Sequence, residues 1–458
     1  MRAGYFWLAS FAVYPLIGAP LLNHREFRRF GLAARVVLAG GVGAVLLSWT
    51  MTAFALAGWR WGPLLVLAST AVAFALRGLI RDLIPKGSDP SPLANAPGDG
   101  PRDGRALTGI AHAVTGISIL AALAATVAAR STSLDLLFFW GPKAQQFASA
   151  RTIDAAYLGT PNLEYLHVYY PPLVTNVFAF GAMIAGRFPW GAATLTFPLL
   201  LAATTVALYG ILSTARPAPA AAATTALTTS ALALVGIRAA VAGNAEPFLL
   251  FFEIAAIALL LTPAAGTAGV QLLAGCLLAG AASAKVEGLP FVLAVTVLFL
   301  LLERGRALPA WRSALFLLAP TVVSVATWLA FGATRKLFYG YKGYGRVSEF
   351  HWEHASAILA AIGSAMWKAS FALPFAVPLL VLLAGGLLTP RALLPLGVAA
   401  GMSAFLFLTY LQSGSDPALW IRWSAARVFS PVTALLALAS FCVAARTPSR
   451  RRRRASRR

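Results

Sequence analysis

Residues 267–303 read TAGVQLLAGCLLAGAASAKVEGLPFVLAVTVLFLLLE: two uncharged apolar runs, 267–284 and 288–302, separated only by Lys285-Val286-Glu287. A helix needs about 20 residues to cross the roughly 30 Å of membrane hydrocarbon, whereas the alternating strands of an outer-membrane barrel are only about 10 residues long. Runs of this length read as two membrane helices joined by a tight charged turn. The rest of the chain follows the same rule. It has 458 residues, 59% of them apolar and 11% charged, with mean hydropathy +0.75, where a soluble domain carries about 25% charged residues. The fold class is therefore all-α: a polytopic transmembrane helical bundle of about 12–14 helices, with no room for a large soluble domain. The 39 glycines and 28 prolines are expected to interrupt helices in places. Cys276 and Cys442 both lie inside apolar runs and cannot build a disulfide framework or a zinc cluster.

The net charge of +22 would suggest nucleic acid in a soluble protein. Here eight of the positive residues lie in one tail, from Arg446 through Arg450–Arg454 to Arg457 and Arg458, directly after an apolar run. Such a tail reads as a cytoplasmic anchor attracted to anionic lipid, and nucleic acid is not expected as a partner. The first run, 4–22, lacks a cleavage site and reads as a retained helix. His24, Arg25, Arg28, Arg29 and Arg35 follow it and place its far end in the cytoplasm, with the N-terminus outside. Further runs fall at 33–57, 62–80 and 107–129, with a Pro/Gly/Asp-rich linker at 84–105. Counting back from the tail gives runs at 424–445, 392–412, 370–388, 312–332, 288–303, 267–284 and 247–263. Between Pro171 and Glu246 lie three stretches, 172–187, 191–213 and 219–241, where an even number of crossings is required. The short first one is the candidate for a broken or non-spanning element. This topology gathers the unusual polar residues on the outer face, in loop 130–170, at Glu246, Lys285 and Glu287, in the loop 335–354 and in the segment 413–427. Short interfacial helices are expected in these outer loops.

Asp135 stands about one turn beyond the end of a membrane helix and just before Leu-Leu-Phe-Phe, where partial desolvation would make its carboxylate a better proton acceptor. Its plain alternative is a helix cap. Trp140, His167, Tyr169 and Tyr170 suit either an interfacial aromatic belt or the lining of a site. Lys285 and Glu287, between two tightly connected helices, are either a local ion pair or the wall of a wet cavity. Glu246 and Glu253 are seven residues apart and so share a helical face, with Glu253 about 10 Å deeper as a strut or a cavity wall. The loop from Arg335 to Arg346 alternates aromatic residues such as Tyr341 and Tyr344 with glycine and cations, a composition fitted to a lid over a sugar phosphate or to a solvated interfacial loop. His351, His354, Glu349 and Glu353 have one-turn spacing, which leaves room for a divalent metal without requiring one.

Asp135 with Trp140 at +5, Lys143 at +8 and Tyr170-Pro-Pro-Leu opening the next run resembles the bacterial GT-C superfamily of integral membrane glycosyltransferases, which includes the protein O-mannosyltransferases and the lipid A aminoarabinose transferases. The stretch from Arg238 through Asn244 to Glu246-Pro-Phe and the turn Ala-Lys285-Val-Glu287-Gly-Leu-Pro are similar to further segments of that family. Two departures are that Glu246 stands where the family has Asp, and that Ala precedes Lys285 instead of Thr. The resemblance spans 110–305. It implies transfer of a sugar from a polyprenyl-phosphate donor to an acceptor hydroxyl of a glycan, lipid or protein, on the extracytoplasmic face of a multi-pass protein of the inner (plasma) membrane. In that scheme Asp135 is the general base of an inverting displacement and Glu246 a second catalytic acid. Lys143, Lys285, Arg238 and Arg422 hold the donor phosphate, while Trp140, His167, Tyr169, Tyr170, Asn244, Glu287, Tyr341 and Tyr344 line the substrate; no metal ligand is assigned.

The chain then divides into extra N-terminal helices and linker (1–106), a GT-C-like core (107–305), C-terminal helices with an outer loop at 333–355 (306–445) and the basic tail (446–458). The competing functional reading is a transporter or flippase of a lipid-linked or amphiphilic substrate. Such proteins usually show repeated halves with charges near the midplane, and neither is visible in this sequence. A scaffold whose outer loops bind envelope glycans is the non-catalytic alternative.

Overall fold

The computed structural model describes residues 2–83, 102–129, 133–160, 167–303, 308–337, 350–368, 390–412 and 417–443, with a few positions between 376 and 383. Every regular element among them is helical. In chain order these are α1 (Gly4–Leu22, with a π-helical turn at Ala9–Val13), α2 (Leu32–Leu56), α3 (Leu64–Leu83), α4 (Arg102–Ala129), α5 (Gly141–Ala150), α6 (Leu173–Ala185), α7 (Thr196–Leu212) and α8 (Ala218–Arg238). They continue with α9 (Glu246–Leu260), α10 (Ala268–Ala284), α11 (Gly288–Leu302), α12 (Ala310–Thr334), α13 (Ala355–Lys368), α14 (Pro390–Leu411), α15 (Pro417–Val428) and α16 (Ser430–Val443).

Among the described residues, 8 helices are long and apolar enough to cross a membrane, or up to 9 if the bent pair α15–α16 is one span. The chain is thus a helical, multi-pass membrane protein. The sequence leads one to expect about 12–14 crossings, and the difference lies in short helices. Helices α9 and α11 have 15 residues each and α10 has 17, so at 1.5 Å per residue they measure about 22–26 Å. Every residue of α9 and of α10 is buried, which leaves neither in contact with lipid. The run expected at 370–388 lies almost wholly outside the described residues. Helix α4 begins at Arg102, inside the stretch expected to be linker.

The short run at 172–187 forms α6, 13 residues or about 20 Å. Gly186, at φ +74°, ends it in the left-handed region that only glycine adopts without strain. The chain then turns back, so that Trp190 packs on Gly141 at the start of α5, and Asn176 near the start of α6 donates to the backbone carbonyl of Ser48 in α2 at 3.3 Å.

The bundle has two chemically different ends. At one, Glu26 sits against Thr267, and Leu260, Leu261, Glu303 and Arg391 surround a small cavity. The arginines that follow α1 and that close α3 belong to this basic end. At the other end α9 begins, α10 finishes at Lys285, and the carbonyl of Ala55 accepts from Arg335 at 3.3 Å. Helices α1 and α2 pack backbone to backbone: a Cβ on Gly43 would collide with the carbonyl of Tyr14. Small residues drive such close approach in membranes, where lipid offers no hydrophobic incentive to associate. Gly43→Val is expected to lower the stability of the protein in detergent by about 1–3 kcal/mol, the range for overpacking a tight interface, read as a lower midpoint in thermal unfolding.

Candidate active site

Four helix ends and one loop converge at the end of the bundle opposite the basic one. Asp135 precedes the π-helical turn Leu136–Trp140 that leads into α5. Glu246 opens α9, where Pro247 in the first turn needs no N–H partner. Lys285 stands in extended conformation where α10 stops, and Glu287 precedes α11. Arg427 lies in the last turn of α15.

These five side chains form one chain of alternating charge. Arg427 Nη1 donates to Asp135 Oδ2 at 2.7 Å, and its Nε lies 3.7 Å from Glu246 Oε1. Lys285 Nζ donates to that same Glu246 oxygen at 3.1 Å and reaches Glu287 Oε1 at 2.8 Å. Glu246 is 1% exposed and Lys285 7%, so neither could keep its charge without the others. Burial raises the pKa of the Asp135 carboxyl, and nearby Glu246 adds to this, against the opposing pull of Arg427 and Lys285. Burial also works against a charged Lys285, but Glu246 and Glu287 together hold its amine above the ordinary lysine value. Several buried acceptors in this cluster remain without a donor among the described residues: Asn244 Oδ1, Glu246 Oε2 and Glu287 Oε2. Both carboxylate oxygens of Glu253, farther along α9, are likewise buried and unmatched.

An aromatic box stands beside the charges. Phe139 and Tyr170 stack with centroids 6.4 Å apart, and Trp140 meets Tyr170 edge-on at 5.7 Å. His167, at φ +46°, shares a 2.9 Å hydrogen bond between its Nδ1 and the Tyr169 hydroxyl. Trp328 of α12 donates to the Tyr169 carbonyl at 3.4 Å. Lys143, 4% exposed, places its ammonium 4.7 Å from the centre of the Trp140 ring, a cation–π contact. Unlike Lys285 it has no carboxylate partner among the described residues, and burial lowers its pKa to about 7. Burial, and then the charges of Lys143 and Lys285, bring His167 down to about 4, so its ring is neutral at physiological pH.

Of the residues singled out in the sequence, Asp135, Glu246, Lys285 and Glu287 share one network; Trp140, Lys143, His167, Tyr169 and Tyr170 share the adjoining box, and Asn244 is buried two residues before Glu246. Arg238, at the end of α8, and Arg422, midway along α15, are both exposed. Tyr341 and Tyr344 lie outside the described residues. Among the described residues no group of three or more His, Cys, Asp and Glu side chains is placed to hold a metal; His351 and His354 share only Glu353. Sequence reasoning puts Arg427 merely among outer residues and passes over Trp328. The available signal is an arginine in the final turn of α15, directly before the apolar helix α16.

Lys285→Met would leave Glu246 and Glu287 buried without their cation. It is expected to destabilise the protein by about 3–5 kcal/mol, with part of the loss recovered in Lys285→Met/Glu246→Gln; a double-mutant cycle of thermal unfolding in detergent measures both.

Comparison of the chain with known protein families, with curated proteins and with solved structures returns no match.

Proposed function

We propose that the protein is a membrane glycosyltransferase that moves a sugar from a polyprenyl-phosphate donor to an acceptor hydroxyl, with inversion at the anomeric carbon. The single observation that carries this reading is the presence, at one end of an apolar bundle, of a partly buried carboxylate held by an arginine and, in the adjoining aromatic box, of a buried lysine with no carboxylate partner among the described residues. The basic end would face the cytoplasm, which puts the cluster on the extracytoplasmic side of the plasma membrane.

Asp135 receives the proton of the acceptor hydroxyl at Oδ1, while Oδ2 stays bound to Arg427. The acceptor oxygen forms the new bond to the anomeric carbon as the bond from that carbon to the phosphate oxygen breaks, and the electron pair leaves with the polyprenyl phosphate. Lys143 suits that phosphate better than Lys285 does, since Lys285 already holds Glu246 and Glu287. The unmatched acceptors Asn244 Oδ1 and Glu246 Oε2 fit the hydroxyls of a sugar ring. The donor's tail has a fitting path in a groove of about 160 Å³ lined by α1, α2, α6, α7 and α9, with Phe11 and Val36 exposed at its rim. Its upper wall is the Phe178–Phe248 ring pair, two residues along α9 from Glu246.

Purified protein in detergent, incubated with a panel of polyprenyl-phosphate sugars, should be thermally stabilised by at least one and should hydrolyse or transfer it. Asp135→Asn should bind that donor as wild type does and lose about 10²–10⁴-fold in kcat, the usual contribution of a general base. A panel in which no donor stabilises the protein or is consumed would overturn the reading, as would near-wild-type turnover in Asp135→Asn.

The pH profile supplies a separate check. The working form needs Asp135 ionised and Lys143 charged, so kcat/KM should fall on the acid side as Asp135 takes up a proton. It should fall again as pH rises through about 7, where Lys143 loses its proton. Lys143→Arg keeps its charge and should move the alkaline limb upward by more than one pH unit; an unmoved limb would exclude Lys143 as its source.

A further inference from the structure

The basic end of the bundle holds a second cluster, separate from the proposed active site. Helices α1 and α2 are joined by a hook at residues 23–31 containing the 3-10 turn Arg25–Phe27. The hook is firmly seated. Glu26 accepts from Thr267 Oγ1 at 3.4 Å and from the backbone N–H of Gly269, at the N-terminus of α10, where a Cβ on Gly269 would strike its carboxylate. Phe27 and Phe30 are fully buried and stacked, with centroids 6.3 Å apart.

On this base stand basic side chains with shielded nitrogens that meet no partner among the described residues. His24 is 8% exposed, with Nδ1 buried and unpartnered, and lies in the field of both Arg25 and Arg77. Arg29 stacks its guanidinium over Phe30 at 5.5 Å and keeps Nε and Nη2 shielded from solvent without an acceptor. Arg35, in the first turn of α2, has its Nε in the same condition. The hook's one acid, Glu26, is engaged with α10 and feels Arg29 and Arg25 only through space. Shielded guanidinium donors are rarely left unmatched, and the group that answers several at once is an anion with several oxygens. The location narrows its source: the hook sits where α1, α2 and α3 end, flanked by Leu32, 70% exposed, and Leu79, 46% exposed, which present apolar surface to acyl chains.

We propose that the hook, together with Arg35 and Arg77, binds the phosphate of an anionic membrane phospholipid between the ends of α1, α2 and α3. Basic pockets between helix ends on the cytoplasmic side take such head groups. The site does not depend on the glycosyltransferase reading.

The test uses the full chain in detergent, with phosphatidylglycerol and phosphatidylcholine offered in competition and bound lipid counted by native mass spectrometry after a high-salt wash. Salt screens solvent-facing charges far more than shielded ones, and the C-terminal arginines are common to all variants. Wild type should retain phosphatidylglycerol over phosphatidylcholine by about tenfold or more, the scale of one or two charge-assisted hydrogen bonds. Arg29→Gln/Arg35→Gln should bring the ratio close to one. Arg77→Gln, at an exposed position of α3 that leaves the hook's packing untouched, should lower it partway and keeps the test informative if the double variant does not fold. A ratio unchanged in these variants would overturn the proposal, as would displacement of the bound lipid by millimolar inorganic phosphate, which would make the ligand a soluble ion.

Discussion

Arg427 touching both Asp135 and Glu246 is the contact on which the rest of the candidate site depends. Glu246 is almost wholly shielded from solvent, and a carboxylate there is tolerable only with cations beside it. Arg427 supplies one from α15 and Lys285 another from the end of α10. Satisfying that single buried charge therefore draws together a loop, the start of α9, the α10–α11 turn and the last turn of α15. It also fixes Asp135, whose partner arginine cannot move without leaving Glu246 under-neutralised. The aromatic box rests on the same loop and brings Lys143 close enough for its charge to be felt at His167.

Both ends of the bundle keep buried polar atoms without hydrogen-bond partners among the described residues. Around Glu246 these are the acceptors Asn244 Oδ1, Glu246 Oε2 and Glu287 Oε2 together with the donors Arg427 Nε and Trp140 Nε1; in the hook they are nitrogens of His24, Arg29 and Arg35. Folding leaves few such groups unpaired.

Much of this was legible in the sequence because it rests on local signals. Apolar run length marks helices α1 to α4, α7, α8, α12 and α14 directly, and the position of arginines marks the basic end. The proximity of Lys285 and Glu287 follows from two residues of spacing. What was not legible is which distant elements are neighbours. Arg422 and Arg427 are equally cationic on the page, and only the rotation of α15 about its axis turns one to solvent and the other to Asp135. Trp328 reads as one more apolar residue until α12 is placed beside Tyr169. Run counting also leaves open which short helices span: a run enclosed by other helices can stop short of the full hydrocarbon thickness, and composition does not distinguish enclosure from exposure.

The enclosure of α9 has a consequence for how the chain is made. A segment of 15 residues with Glu246 at its start and Glu253 at its middle is a poor substrate for insertion on its own, since an acidic residue near the centre of a helix opposes partition by about 2.5–3.5 kcal/mol. Its surroundings in the finished protein, by contrast, are entirely other helices. The segment must then be taken up together with its neighbours, as a hairpin with α10, during synthesis. Nascent chains halted just after α9 would leave it outside the bilayer, and chains halted after α10 would carry both across. Assembly order, and not hydrophobicity, would decide when the end of the bundle that carries Glu246 first comes into being.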